Sequence, residues 1–359
     1  MLADGIGAAP ESELQNDNCC HGGQMAFRFE THESAAAGFH RLALQQISRA
    51  RRHLTQDEDH GVAIHQARKC LKRLRALLRL ARPALGNQRY RHENERFRDI
   101  ARALSTSRDR QVMRDTVAKL LTEAGPREQQ ALNSVAALLA NGKGEGAAPA
   151  DVAALVEKAA EALREAKKDF KHLDLDIDMK DLICSGLKRC YRKGRKALED
   201  AQDNPEDEAV HEWRKSVQVH WRHMLLLSEA WPEYFAVRAN LAKELSDLLG
   251  EDHDLSVLAA FVTTGDGAAI GPDNAEAVIA LATASQQELR ARAFARGAYL
   301  FADDPTELSH AIYRYWTIAL SAPRAGANTQ VDDAADRSPQ KDQRHTSAAG
   351  DRDKPLSAA

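Results

Sequence analysis

Aromatic residues make up only 5% of the 359-residue chain, and β-branched residues are few beside Ala, Leu, Arg and Glu. That palette excludes an extensive sheet and favours helices nearly throughout. Cysteine is scarce too: Cys19, Cys20, Cys70, Cys184 and Cys190 are an odd number without a C-x-x-C pair. Neither a disulfide framework nor a zinc cluster is expected, and the usage suits a reducing cytoplasm. From Met1 to Gln24 no cationic segment leads into an apolar run, and nowhere does the chain approach the roughly 18 apolar residues of a membrane span. No export and no membrane contact are therefore expected. A Gly-rich phosphate loop, a set of metal ligands and paired carboxylates on basic helices are all missing, which argues against a kinase or phosphohydrolase. The expectation is a protein without catalytic residues, metal or cofactor.

What is present is a balanced but unevenly distributed charge. The formal net charge is -3, with 29% charged and 43% hydrophobic residues, an ordinary soluble composition. Yet between Arg41 and Arg110 there are 18 Lys or Arg against 7 Asp or Glu. A nearly neutral protein with one electropositive face follows.

Helices are expected from the Ser34 cap onward, then over Gly61 to Arg82, Tyr90 to Leu104, Asp109 to Glu123 and Arg127 to Leu139. Pro83 and Gly86 punctuate the second of these. Gly142, Gly144 and Gly146 mark a linker over 141–150, dividing a first half, 27–140, from a second, 151–321. In the second half helices are expected over Asp151 to Phe170, Met179 to Ala201, Glu206 to Glu229, Tyr234 to Leu249, His253 to Thr263, Asn274 to Phe301 and Pro305 to Leu320. Residues 1–26 and 322–359 lack apolar periodicity and read as disordered ends. A repeat underlies the division. His65-Gln66-Ala67-Arg68-Lys69 returns as His211-Glu212-Trp213-Arg214-Lys215, and Leu104 to Asp109 returns as Leu249 to Asp254, both about 146 positions later. The simplest reading is an all-α fold of two similar four-helix bundles, related by duplication and a pseudo-two-fold.

On a helical wheel Ile64, Ala67, Leu71, Leu74 and Leu78 share an arc of about 80°, with His65, Arg68, Lys69, Lys72, Arg75 and Arg79 in an adjacent arc of about 120°. Solvated faces usually interleave Glu with Lys; this stripe has no acid. In the second copy His211, Lys215 and Arg222 cluster with Arg214 and Gln218 at the flank, while Val210, Trp213, Val217, Trp221 and Met224 form the apolar side. The helix before each copy is basic as well, through Arg41, Arg49, Arg51 and Arg52 in one case and Lys188, Arg189, Arg192, Lys193, Arg195 and Lys196 in the other. If the halves face each other, these helices line one groove for a long anion. Arg grips phosphate with a fork and Lys with a mobile point charge. Crowding by cations should hold His65 and His211 below about 6.5, so that binding takes up protons and tightens from pH 7 to 6. Asp109 and Asp254 are expected to cap helices after matching loops; a metal reading of His253-Asp254 finds no further ligands. The scarcity of aromatics on the stripes weighs against nucleic acid, the alternative ligand.

The His65-x-x-Arg68-Lys69 pattern with Lys72, Arg73 and Arg75, its second form at His211, and the Tyr191-Arg-Lys-Gly-Arg-Lys run resemble the CHAD domain, the conserved histidine α-helical domain, from about Phe27 to Leu320. The resemblance implies two four-helix bundles around a basic cavity that binds inorganic polyphosphate, in bacteria often at polyphosphate granules. By position, His65, Arg68, Lys69, Lys72, Arg73, His211, Arg214 and Lys215 match the family's motif. Gln218 and Val219 depart from it where basic residues are common, implying an asymmetric groove. The residues ahead of Phe27 are too few for the triphosphate tunnel domain that many relatives carry, in keeping with a non-catalytic role.

Overall fold

The computed structural model describes residues 27–104, 109–141 and 149–322. The leader, most of the glycine linker, the 105–108 loop and the tail from 323 lie outside the described residues, as do Cys19 and Cys20. Among the described residues every regular element is helical and no strand occurs. The helices are α1 (Ala35–Gln56), α2 (His60–Leu80), α3 (Arg82–Ala103), α4 (Asp109–Leu121), α5 (Pro126–Asn141), α6 (Pro149–Lys171), α7 (Lys188–Asp203), α8 (Asp207–Leu226), α9 (Pro232–Thr263), α10 (Pro272–Leu300) and α11 (Pro305–Ser321). A π-helical turn, Asp181–Leu187, runs straight into α7, and short 3-10 turns flank α9.

Local chemistry accounts for the starts and stops. Ser34 Oγ accepts from the Ala37 amide at 3.2 Å, and Asp59 Oδ1 accepts from Gly61 and Val62 at 2.7 and 3.2 Å, so α1 and α2 both open on side-chain caps. Gly86, with φ of 73°, separates the Pro83 turn from the rest of α3, a conformation that residues with a Cβ resist. Along α1 the buried residues Phe39, Leu42, Ala43, Gln46, Ile47, Ala50 and Leu54 recur at helical spacing, forming a stripe that faces the core.

Helices α1, α2, α3 and α6 pack as one group, and α7, α8, α9 and α10 as another. They share one hydrophobic core, and the last turns of α2 add polar ties between them. Arg189 Nη2 donates to the Arg79 carbonyl at 2.6 Å, and His223 Nε2 donates to the Ala76 carbonyl at 3.0 Å. Gly186 comes so close that a Cβ there would stand 1.9 Å from the Leu80 carbonyl oxygen. A second core is built from Val117, Leu132 and Val135 of α4 and α5 against Leu258 of α9 and Val278 of α10. Each core thus draws on chain from both sides of residues 141–150, and α6, which follows that segment, packs on α1.

One expectation fails outright. The segment Leu249 to Asp254 is not a loop: it lies within the single 32-residue α9, so Asp254 stands mid-helix and not at a helix start. The 105–108 loop expected to match it falls outside the described residues.

Candidate anion-binding cavity

Helices α2 and α8 touch, and where they approach α9 they enclose a cavity of about 390 Å³, within the range of ligand clefts. From α2 come His65, Lys69, Lys72 and Arg73, at successive turns of one face. From α8 come Arg214, Gln218, Trp221, Arg222 and Leu225. The third wall is α9, with Ser246, Asp247, Gly250, Glu251 and Asp254. Five fixed cations therefore face three carboxylates, and the cations come from both histidine-marked helices.

The α8 cations are held in place. Arg222, only 9% exposed, donates through Nη1 to the Gln218 carbonyl at 2.6 Å, and its guanidinium lies 4.9 Å from the centre of the Trp221 ring. Lys243 reaches the same ring at 5.8 Å. Such cation–π contacts orient a charge without neutralising it. Trp221 packs against the hydrophobic core, as its wheel position implies, and also lines the cavity. Gly250 admits Arg214, since a Cβ there would lie 3.3 Å from Arg214 Nη2. On α2, Lys72 is exposed and Arg73 sits 5.8 Å from the Phe27 ring centre.

A family model for the CHAD domain matches residues 39–263, which is more than half of the chain and carries every wall of this cavity. The chain belongs to the CHAD family. Among solved structures it is similar to the CHAD domain from the plant Ricinus communis, at 17% identity with a TM-score of 0.49, over 84% of this chain and 96% of that one. No curated protein matches it.

Several cations expected at the site in this CHAD chain are engaged elsewhere. Arg68 donates to the Ala101 carbonyl at 2.6 Å, tying α2 to the end of α3. Arg75 donates to Asn94 Oδ1 at 3.1 Å; burial, with Arg79 nearby, brings its pKa down to about 10. Arg79 donates to the Arg75 carbonyl at 3.3 Å. Arg195 donates to the Asp303 carbonyl at 3.0 Å, Lys196 to Asp200 at 3.0 Å and Lys215 to Glu212 at 2.5 Å. Arg49 and Arg52 stand beside Cys70, whose thiol burial pushes up against their pull. Lys188 is half-buried and Arg192 exposed, and neither lines the cavity.

His65 faces the cavity but His211 does not. The His211 ring stacks on His253 with centroids 4.3 Å apart and planes at 27°. Burial first, then Lys215 and Arg214, holds His211 below its ordinary value; the expected direction is right, but desolvation outranks crowding. Burial, with Arg214 and His211, takes His253 down to about 4. Next to this pair Arg290 bridges two carboxylates, Asp252 at 2.6 Å and Asp207 at 2.5 Å. Burial pushes Asp252 up even so; burial also opposes ionisation of Asp207, but Ser256 and Arg290 outweigh it and leave that carboxyl low. Among the described residues no three His, Cys, Asp or Glu are grouped to hold a metal ion, and no helix is long and apolar enough to cross a membrane.

Sequence reasoning missed the whole α9 wall. Asp247, Glu251 and Asp254 lie at four- and three-residue spacing on one helical face, a signal hidden by reading Leu249 to Asp254 as a loop.

Proposed function

We propose that the cavity binds inorganic polyphosphate without catalysing a reaction on it, and that this binding places the protein at polyphosphate granules in the cytoplasm. The observation that carries the reading is that two histidine-marked helices, 146 positions apart, supply Lys69, Lys72, Arg73, Arg214 and Arg222 to one cavity. Five cations against three carboxylates leave the cavity net positive, and a polyanion that fills it releases counterions. A continuous chain of phosphates suits a row of charges along two helices better than a compact anion does. Nucleic acid is the second reading, favoured by Trp221 in the wall; Arg222 over its ring leaves less of it for a base.

The test is polyphosphate titration at several salt concentrations near pH 7, with RNA as competitor. Engagement of all five cations predicts a log–log salt slope of about -3.5, taking roughly -0.7 per phosphate for a single strand. Lys69→Glu with Lys72→Glu is the variant of choice, because Arg68 also holds α3 through Ala101. Equal competition by RNA, or unchanged binding by the variant, overturns the reading.

A further inference from the structure

The cavity is not a purely basic groove, and its carboxylates are positioned rather than incidental. Asp247, Glu251 and Asp254 occupy a single face of α9. Two of them are propped by lysines that do not line the cavity: Lys243 Nζ lies 2.6 Å from Asp247 and Lys119 Nζ 2.5 Å from Glu251. Behind this wall a second cavity, of about 380 Å³, shares Glu251 and Asp254 and adds Asp115, Glu123 and Glu288 against Lys119 and Arg292. The negative potential thus extends behind α9 while the cations line the opposite side. With histidine neutral, the anion cavity carries five positive and three negative charges, a net of only +2.

We propose that the α9 carboxylates set a charge threshold, holding down the cavity's affinity for every anion so that ligands of few charges fail to occupy it. This rests on the polyphosphate reading and concerns the same site. Any anion that enters meets like-charge repulsion from α9, and it meets that penalty once. Orthophosphate or triphosphate has too few charges to offset it. A longer chain presents charge to all five cavity cations at once and offsets the same penalty. Glu251 and Asp254 are accordingly affinity-setting residues that need not touch the ligand.

The experiment measures binding of orthophosphate, tripolyphosphate and long-chain polyphosphate to the full chain, at fixed pH and salt. Proteins compared are the wild type, Glu251→Gln with Asp254→Asn, and Glu251→Gln alone in case the double variant is unstable. Glu161→Gln with Glu165→Gln, on exposed carboxylates of α6, alters net charge equally and serves as control. We expect the α9 double variant to gain roughly tenfold for each ligand, about 1.4 kcal/mol, so that tripolyphosphate becomes measurably bound, with the α6 control unchanged. Affinity that is unaltered or lower in the α9 variants, or an equal gain in the control, overturns the proposal while leaving polyphosphate binding intact. Failure of the wild type to bind long-chain polyphosphate instead overturns the function itself.

Discussion

Helices α2 and α8 carry the same five-residue motif and use it in opposite ways. In α2 the motif arginine, Arg68, turns to the Ala101 carbonyl while the lysine, Lys69, faces the cavity. In α8 the arginine, Arg214, faces the cavity while the lysine, Lys215, pairs with Glu212. The first histidine lines the site; the second stacks on His253. The core faces differ as well: Leu74 and Leu77 on α2 correspond, 146 positions on, to His220 and His223, both buried. A motif therefore specifies a set of charges near a site, and its neighbours decide which of them arrive. Glu212, standing where α2 has Gln66, is enough to divert a lysine.

This contrast can be broken at the helix starts, where the largest effect is expected. The beginning of α8 is tied through Asp207 to Arg290 and the nearly buried Asp252, whereas α2 has only the Asp59 cap. Arg290→Met leaves Asp252 buried without its partner and should cost about 3–5 kcal/mol in urea unfolding.

Acid sharpens the comparison next. Burial holds the His223 ring at about 4 and His220 well below its ordinary value, and neither nitrogen of His220 has a hydrogen-bond partner. Because the unfolded chain binds these protons near pH 6.5, the stabilisation is complete above that value and is lost as pH falls towards 4. For His223 the loss is on the order of 3 kcal/mol. His220→Leu with His223→Leu, which copies the α2 core, should flatten the dependence of the unfolding midpoint between pH 6.5 and 4.5; an unchanged slope would place the acid sensitivity elsewhere.

Binding separates the two lysines. Lys69→Glu with Lys72→Glu should weaken polyphosphate binding roughly a hundredfold at low salt, whereas Lys215→Glu should change it by no more than about threefold. The smallest effect expected is that of Asp59→Ala, which removes the α2 cap for about 1 kcal/mol of stability and leaves binding intact.

Much of this arrangement was legible in the sequence, and for identifiable reasons. The Ser34 cap, the apolar stripe of α2 and the interruption at Gly86 are local signals, read from residues a few positions apart. The gathering of Lys69, Lys72, Arg214 and Arg222 was also within reach, because a helical stripe of cations with few acids along it is a local signal of an electropositive face. Tertiary pairing was not. Leu249 to Asp254 resembles a loop in isolation; it is helical because Arg214 lies against Gly250 and Arg290 neutralises Asp252, contacts made by residues dozens of positions away. Arg75 and Arg195 failed to reach the cavity for the same reason, each having a nearer polar partner that a wheel cannot display.

Trp221 gives the cavity an optical property of its own. Trp213 and Trp316 are fully buried and Trp231 sits among tyrosines at the surface, so of the four indoles Trp221 alone lies in the cavity wall with two cations near its ring. An arriving polyanion that draws Arg222 or Lys243 towards itself changes the field across that indole. Its emission should shift in step with occupancy, making the unlabelled protein a sensor of its own ligand.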